Sequence, residues 1–347
     1  MLNGMNLQKE YMVAVRCMTY NHANYIVDAL NGFCMQETTF PFVCIVVDDA
    51  STDGEQDVIK NYLQENFDLT DTSIVRNEET QDYLLTFARH KANHNCFMGV
   101  LLLKYNHYGK KRKDLYWNGW AKSKYIALCE GDDYWIDAQK LQKQVDFLES
   151  HPDYGMAYTA HLRYILKEDK FVSGKNVCQD FNDLLLANKI ATHTVMLRKS
   201  LWKDYCKEIG PIANQRQWKM GDTPLWLYIM ARSNAKYMHD ITGVYRQLEH
   251  SASHFTTFEP NCDFWISHFD MSLFFAKRYN ASEAIQKKIA LDEIEFLLGM
   301  AQSYNTNLKF PFYKHLKENG IFSWRRYLSC VMRSSCLGRK LYSAVKK

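Results

Sequence analysis

Apolar and polar positions switch between two periods along this chain, and the switches mark out its elements. Tyr11 to Met18 is a short apolar run of strand length. Thr19-Tyr20-Asn21-His22 follows as a polar turn. Asn24 is placed to cap a helix from Tyr25 to about Met35, whose Ile26, Ala29, Leu30 and Phe33 share one face. Pro41 opens a second strand, Phe42 to Val47, which stops at Asp48-Asp49-Ala50-Ser51-Thr52-Asp53-Gly54. Thr52 or Asp53 is placed to cap a helix from Glu55 to about Asn66, with Val58, Ile59, Tyr62 and Leu63 inward. Ser73 to Arg76 reads as a third, short strand. Strands alternating with helices predict βαβ units, a parallel sheet and right-handed crossovers. Tyr83 to Asn93 has helical spacing, and Phe97 to Leu103 fits a strand or a buried helical turn. Lys104 to Lys113 is basic and reads as a solvated insertion; the alternative is a basic lip over a phosphate-bearing ligand.

Further along, the β-prone run Tyr125-Ile126-Ala127-Leu128 ends in Cys129-Glu130-Gly131-Asp132-Asp133. Ala138 to Ser150 is an amphipathic helix built on Leu141, Val145, Phe147 and Leu148, and His151-Pro152 ends it. Gly155 to Leu166 is strand-like, with Phe171 to Lys175 returning beside it. A helix over Phe181 to Asn188 and a strand over Thr194 to Arg198 follow. Met220-Gly221-Asp222-Thr223-Pro224 leads into a compact helix, Leu225 to Ala231. Asp222 or Thr223 suits its N-cap, and Pro224 its first position. Ala235 to Leu248 is strand-like and runs into the polar loop Glu249-His250-Ser251-Ala252-Ser253-His254. From Phe258 the chain reads as helices, clearest over Ile266 to Tyr279 and Ser282 to Tyr304. The expected boundary puts an α/β domain over residues 1–257 and a helical extension with a basic tail over 258–347.

Bulk properties narrow the choices. A chain of 347 residues can bury a substantial core. Its net charge of +4 is close to balance, which argues against a nucleic-acid binder. Ten scattered cysteines with no Cys-x-x-Cys pair read as reduced, mostly buried thiols in a cytoplasmic setting. Residues 1–10 lack the basic-then-apolar pattern of a signal peptide, and the apolar runs fall far short of a bilayer span.

The sharpest chemistry lies at Glu130-Gly131-Asp132-Asp133. Ligands of open α/β sheets bind outside the carboxyl ends of the strands. Three crowded carboxylates there repel unless a cation neutralises them, and hard oxygen ligands suit Mg²⁺ or Mn²⁺. The plain alternative is a solvated acidic turn.

TYNHANYI, VVDDASTDG and YIALCEGDDYW with KLQKQVDFLE behind it, followed by GDTPLW and VYRQLEHSASH, resemble the family-2 glycosyltransferases of GT-A fold. The resemblance covers about Tyr11 to His254 and is nearest to bacterial members that build surface polysaccharides. It implies a three-layer α/β/α sandwich with a mixed, mainly parallel sheet. It also implies inverting transfer from a nucleoside diphosphate sugar, here expected to be a UDP-sugar, to a hydroxyl of a glycan or lipid-linked acceptor. By this resemblance Tyr20 meets the nucleotide base, and Asp49 meets the base or ribose. Thr19, Asn21, Ser51 and Asp132 complete the donor side. Asp132 and Asp133 stand in the Asp-x-Asp region at a divalent metal, Mn²⁺ or Mg²⁺, and the diphosphate. Glu130 stands where many members have Asp, so which carboxylate binds the metal directly stays open. Asp222 falls at the catalytic base; its structural alternative is the helix cap. His250 or His254 falls where some members add a metal or diphosphate contact, and His254 is the one expected at the metal. The glycine-bearing segment usual before the acidic motif is not recognisable here.

Two other functions have different signatures. A sugar nucleotidyltransferase needs a Gly-rich, Lys- or Arg-bearing loop after the first strand, and Thr19-Tyr20-Asn21-His22 has neither. A non-catalytic sugar-nucleotide binder is expected to lose the acidic triplet or Asp222, and both are present. In the tail, ten Lys and Arg residues from Lys309 to Lys347 face one acid, Glu318, and interleave with aromatic and aliphatic side chains. That pattern fits an interfacial segment on anionic lipid at the cytoplasmic membrane face. The same side chains could instead pack on the protein.

Overall fold

The computed structural model describes residues 10–107, 122–174, 177–248 and 256–345. By compactness these divide into two units. One holds the residues up to Val177 with Lys189–Asp204 and Ser233–Leu248; the other holds Cys178–Asn188, Tyr205–Arg232 and the residues from 256 onward. The segment around Asp222, placed by the expected boundary in the α/β domain, thus groups with the C-terminal helices.

The first unit is built on a 12-stranded mixed sheet. Its strands are β1 (Tyr11–Thr19), β2 (Phe42–Asp48), β3 (Phe67–Asp68), β4 (Arg76–Glu79), β5 (Tyr83–His90) and β6 (Cys96–Leu103). They continue with β7 (Ser123–Leu128), β8 (Tyr134–Trp135), β9 (Tyr154–Ile165), β10 (Lys170–Ser173), β11 (Met196–Arg198) and β12 (Asn234–Gln247). The order is β3-β5-β6-β2-β1-β7-β11-β9-β12-β8. The centre, β6-β2-β1-β7, is parallel. Every residue of β2 and β6 is buried, which is why both read as continuous apolar runs rather than alternating ones. Helices α1 (Ile26–Cys34), α2 (Glu55–Asn66) and α3 (Lys140–Ser150) pack Ile26, Leu30, Phe33, Ile59, Leu141 and Leu148 onto one face, against Val13, Val15, Cys44, Val46 and Val100. Ala14, Ile45, Val47 and Leu101 carry a second core on the opposite face. The fold class is the expected three-layer α/β arrangement with a helical extension.

Several local expectations are corrected. The third parallel strand is β6 beside β2, while β4 forms at Arg76–Glu79 and pairs antiparallel with β5. The helical spacing over Tyr83 to Asn93 is misleading. Those residues form β5, antiparallel to β6, with Tyr83, Leu85 and Phe87 inward at period two. Aromatic and aliphatic residues fit both periods there, and non-local pairing decides. Asn24 does not cap α1; the His22 carbonyl accepts from Tyr25 N (2.8 Å) and Ile26 N (2.9 Å) instead. At α2 the cap position is Gly54, at φ +91°, and Asp53 Oδ1 accepts from Glu55 N at 3.1 Å. The basic segment Lys104 to Lys113 lies largely outside the described residues, as does the loop with His250 and His254.

The second unit contains α4 (Phe181–Leu186), α6 (Gly210–Arg216), α7 (Thr223–Met230), α8 (Phe258–Arg278), α9 (Glu283–Ser303), α10 (Phe312–Glu318), α11 (Trp324–Arg333) and α12 (Cys336–Val345). Helix α5 (Lys199–Glu208) starts in the first unit and ends in the second. Eight of the ten cysteines are buried and all are free thiols, as their spacing predicts.

Candidate functional site

Parallel register brings three loops to one edge of the sheet. Thr19 ends β1 directly opposite Asp48 at the end of β2. Asp49 N donates to the Thr19 carbonyl at 3.0 Å. On the other side of β1, Gly131 N donates to the Met18 carbonyl at 3.0 Å, so the acidic motif is carried to the same level. The expected meeting of the polar turn, the Asp48-Asp49 loop and the Glu130-to-Asp133 motif is therefore present.

One buried carboxylate ties the first two loops together. Glu55, at the start of α2, accepts from the Thr19 hydroxyl, from His22 N (2.8 Å) and from the Ser51 hydroxyl (2.9 Å). Asn21 N donates to Ser51 Oγ at 2.9 Å, and Thr52 N donates to Asn21 Oδ1 at 2.8 Å. Asn21 and Ala50 hold the left-handed conformation, at φ +57° and +63°, so both loops turn sharply. Burial pushes the Glu55 pKa up, against the hydrogen bonds from Thr19, His22 and Ser51.

The expected donor-side residues divide by environment. Thr19 is buried, with its hydroxyl on Glu55. Tyr20 is 43% exposed. Asp49 is buried; its Oδ1 accepts from His107 N at 2.7 Å. Asp48, also buried, accepts from Ser51 N (3.0 Å) and Gln56 Nε2 (2.6 Å), so it shapes the loop that carries Asp49.

In the acidic motif, Glu130, Asp132 and Asp133 each offer an oxygen, all within 4.8 Å of one another. Glu130 is exposed, Asp132 half-buried and Asp133 buried. Burial, and then the Asp132 charge, hold the Asp133 pKa well above the usual carboxylate range. A divalent cation would relieve that repulsion, and the hard oxygen set suits Mg²⁺ or Mn²⁺. Gly131 is required for this packing. A Cβ there would lie 2.1 Å from Thr19 Oγ1 and 2.6 Å from Thr19 Cβ.

Two partners of the motif were not singled out by sequence reasoning. Arg246 of β12 donates its N–H to Asp133 Oδ1 (2.9 Å) and its guanidinium to the Asp132 carbonyl (2.8 Å) and the Asp28 carboxylate. The guanidinium lies 4.3 Å from the Tyr134 ring centre. The buried His193 places Nδ1 3.2 Å from Asp133 Oδ2. Burial and the nearby Lys140 push the His193 pKa down to about 3, so near neutrality the imidazole beside Asp133 carries no charge. His22 Nε2 sits 3.9 Å from Asp132 Oδ2. Glu55 reads in sequence as an ordinary first-turn acid, and only its burial distinguishes it. Arg246 lies in the quoted VYRQ run without a role, and His193 has no sequence signal.

In the helical unit, Asp222 caps α7. Its Oδ1 accepts from Thr223 N (2.6 Å) and from the Thr223 hydroxyl (3.1 Å), which fixes the carboxyl. His254 lies outside the described residues.

A parallel-centred sheet with acids at its carboxyl edge belongs to the open α/β class, whose ligands bind outside the strand ends. Comparison with known proteins narrows it. The family model for Glycosyl transferase family 2 matches residues 17–98, which hold the β1 and β2 loops. Uncharacterized proteins of Mycobacterium tuberculosis and Mycobacterium bovis are 34% identical over 141 residues. That stretch is 41% of this chain and 32% of theirs, so the matched part spans about a third of the mycobacterial relatives. Among solved structures, Staphylococcus aureus TarS residues 1–349, in complex with UDP-GlcNAc, is similar at a TM-score of 0.52 and 19% identity. The match covers 94% of this chain and 83% of that one. At that identity the likeness speaks to the fold. Residues 17–98 thus match the Glycosyl transferase family 2 model, and the fold of the chain is similar to that of TarS residues 1–349.

Proposed function

We propose that this protein is a metal-dependent, inverting glycosyltransferase. It takes a sugar from a nucleoside diphosphate sugar, a UDP-sugar by the family resemblance, and passes it to a hydroxyl of a glycan or lipid-linked acceptor. Its setting is bacterial surface polysaccharide synthesis. The observation that carries the reading is the cluster of Glu130, Asp132 and Asp133 at the carboxyl edge, beside the loops that hold Tyr20 and Asp49.

Each residue has a role. Tyr20 stacks on the base, while Asn21, Asp49 and Ser51 shape and contact the nucleoside. Thr19 holds the two loops in place through Glu55. Asp132 and Asp133, with His254 as a further ligand, would hold Mn²⁺ or Mg²⁺. When bound, such an ion acts as a Lewis acid that stabilises charge on the departing diphosphate. Asp222 takes the acceptor hydroxyl's proton as the new C1–O bond forms on the face opposite the leaving group. The C1–O bond to phosphate breaks, and its electron pair leaves with the diphosphate.

The tail supports a membrane-surface contact on the cytoplasmic face. Trp324 (65% exposed), Leu328 and Val331 on α11, and Leu337 (71%) and Leu341 on α12, form an uncovered apolar set beside Arg325 and Lys340. Cys330, Ile321 and Leu316 pack inward. No helix among the described residues is long and apolar enough to cross a membrane.

The test is release of nucleoside diphosphate from UDP-GlcNAc and GDP-mannose, with Mn²⁺ or with chelator, in the wild type and in Asp132→Ala. Metal-dependent release that the substitution abolishes supports the reading. Full release in chelator would remove the metal from it.

A further inference from the structure

His193 is fully buried, and neither of its ring nitrogens has a hydrogen-bond partner among the described residues. Buried polar groups are nearly always paired, so an imidazole orphaned at both nitrogens calls for a role.

The ring is nonetheless held from several sides. It stands in a short helical turn, Thr192–Thr194, that is tied to β8 and α3. Trp135 Nε1 donates to the His193 carbonyl at 2.8 Å, and Gln144 Nε2 donates to the Thr194 carbonyl at 2.9 Å. The His161 ring stands nearly perpendicular to it, 5.1 Å between centres, and Tyr245 lies nearly parallel at 6.4 Å. On a further side β12 comes so close that a Cβ at Gly243 would lie 2.7 Å from His193 Cδ2.

This packing puts one nitrogen beside the acidic motif. Nδ1 lies 3.2 Å from Asp133 Oδ2, within reach but out of line for a formed bond. Asp133 Oδ1 is already engaged, accepting from Arg246 N at 2.9 Å. Carboxylates that ligate a metal are themselves hydrogen-bonded by neighbours that fix their orientation. A carboxylate that binds a cation only accepts, so the proton between this pair sits on Nδ1. Hydrogen bonds at active sites often tighten only in the complex.

We propose that His193 is a positioning residue for the acidic motif: its Nδ1–H donates to Asp133 Oδ2 and, together with the Arg246 N–H on Oδ1, fixes the carboxyl for a divalent cation. The role rests on the metal-binding reading of the motif above.

Mn²⁺ binding and the ring's own NMR signals test it on the full chain, with no nucleotide present. Affinity is read by electron paramagnetic resonance titration, and the tautomer by two-bond proton–nitrogen correlation in Mg²⁺. We expect the wild-type ring to carry its proton on Nδ1, and His193→Leu to bind Mn²⁺ about ten- to a hundredfold more weakly. His193→Asn places an amide N–H near the Nδ1 position and should recover most of the affinity. His193→Gln is equally polar but carries its amide one bond further, near the Nε2 position, and should not. A merely structural role would shift the unfolding midpoints of these variants without splitting Asn from Gln in affinity. Should His193→Leu fail to fold, the contrast between Asn and Gln decides. The proposal is overturned if the proton sits on Nε2 alone, if folded His193→Leu binds Mn²⁺ like the wild type, or if Asn binds no better than Gln. A wild type that binds no Mn²⁺ overturns the metal reading and the role of His193 with it. Wild-type binding that His193→Leu and His193→Gln both keep overturns the role of His193 alone.

Discussion

Thr19, the last residue of β1, gives its hydroxyl to Glu55, the first residue of α2, and both are buried. The contact joins loops that are 36 residues apart, and it fits under Gly131 only because that residue has no side chain. The edge that presents Tyr20, Asn21 and Ser51 is thus held from beneath by one carboxylate.

Glu55→Ala removes that carboxylate and leaves the Thr19 and Ser51 hydroxyls and the His22 N–H without it. At about 1–3 kcal/mol for a buried group left unsatisfied, the variant should lose about 3 kcal/mol in urea unfolding. UDP affinity should drop about tenfold as the loops loosen, at roughly 1.4 kcal/mol per factor of ten. Unchanged stability and affinity would show that the loops hold themselves.

Asp222→Asn keeps the cap, because an amide oxygen can still accept from Thr223 N. A lost general base should cost turnover roughly a hundredfold or more while donor affinity stays unchanged. Steady-state rates and a UDP titration on the same preparation separate the two. Near-native turnover would leave Asp222 as a cap alone.

The residues differ in how legible these arrangements were. β2 declares itself because burial on both faces leaves only its last residue, Asp48, polar, whereas the equally buried β6 fits a strand or a buried helical turn until its pairing with β2 decides. The acidic motif is visible because three carboxylates so close in sequence must face the same edge. β5 was misread because Tyr83, Leu84, Phe87 and Ala88 satisfy a helical stripe as well as a strand, and only its pairing with β6 separates the two. The Glu55 network was hidden because its partners, Thr19 and His22, lie 36 and 33 positions away. The clamp by Arg246 spans 113 positions to Asp133 and leaves no local pattern. The grouping of the Asp222 segment with the C-terminal helices is likewise a matter of packing, which no composition shift announces.

The tail should bind anionic vesicles through exposed apolar side chains as well as charge. Trp324→Ala with Leu337→Ala removes two side chains that are mostly exposed, so the fold should be unaffected. Co-sedimentation with phosphatidylglycerol-containing vesicles should fall at least fivefold and should weaken in high salt for the wild type. Vesicle binding that ignores both changes would contradict the membrane reading.

Glu293 should set a pH dependence of stability. Its folded pKa of about 8 lies above the ordinary unfolded carboxyl value of about 4.3. The folded state therefore holds the proton more tightly, and this stabilisation is full below about pH 4.3 and is lost as pH rises through about 8. Asp270 and His315 face the same group, so the comparison is made against Glu293→Gln, which does not titrate there. Relative to that variant the wild type should lose about 2–4 kcal/mol between pH 4.5 and pH 8.5, both approximate, measured by urea unfolding. Parallel profiles would mean that Glu293 is not held protonated by the fold.

The central claim is that the acids at the sheet edge bind a nucleoside diphosphate through a divalent cation. Calorimetric titration of UDP and of GDP into the full chain, with Mn²⁺ and then with chelator, tests it most directly. At least one nucleotide should bind about tenfold or more tightly with Mn²⁺, and that gain should vanish in Asp132→Ala. Equal affinity with and without the metal, or a metal effect that survives the substitution, would contradict the account.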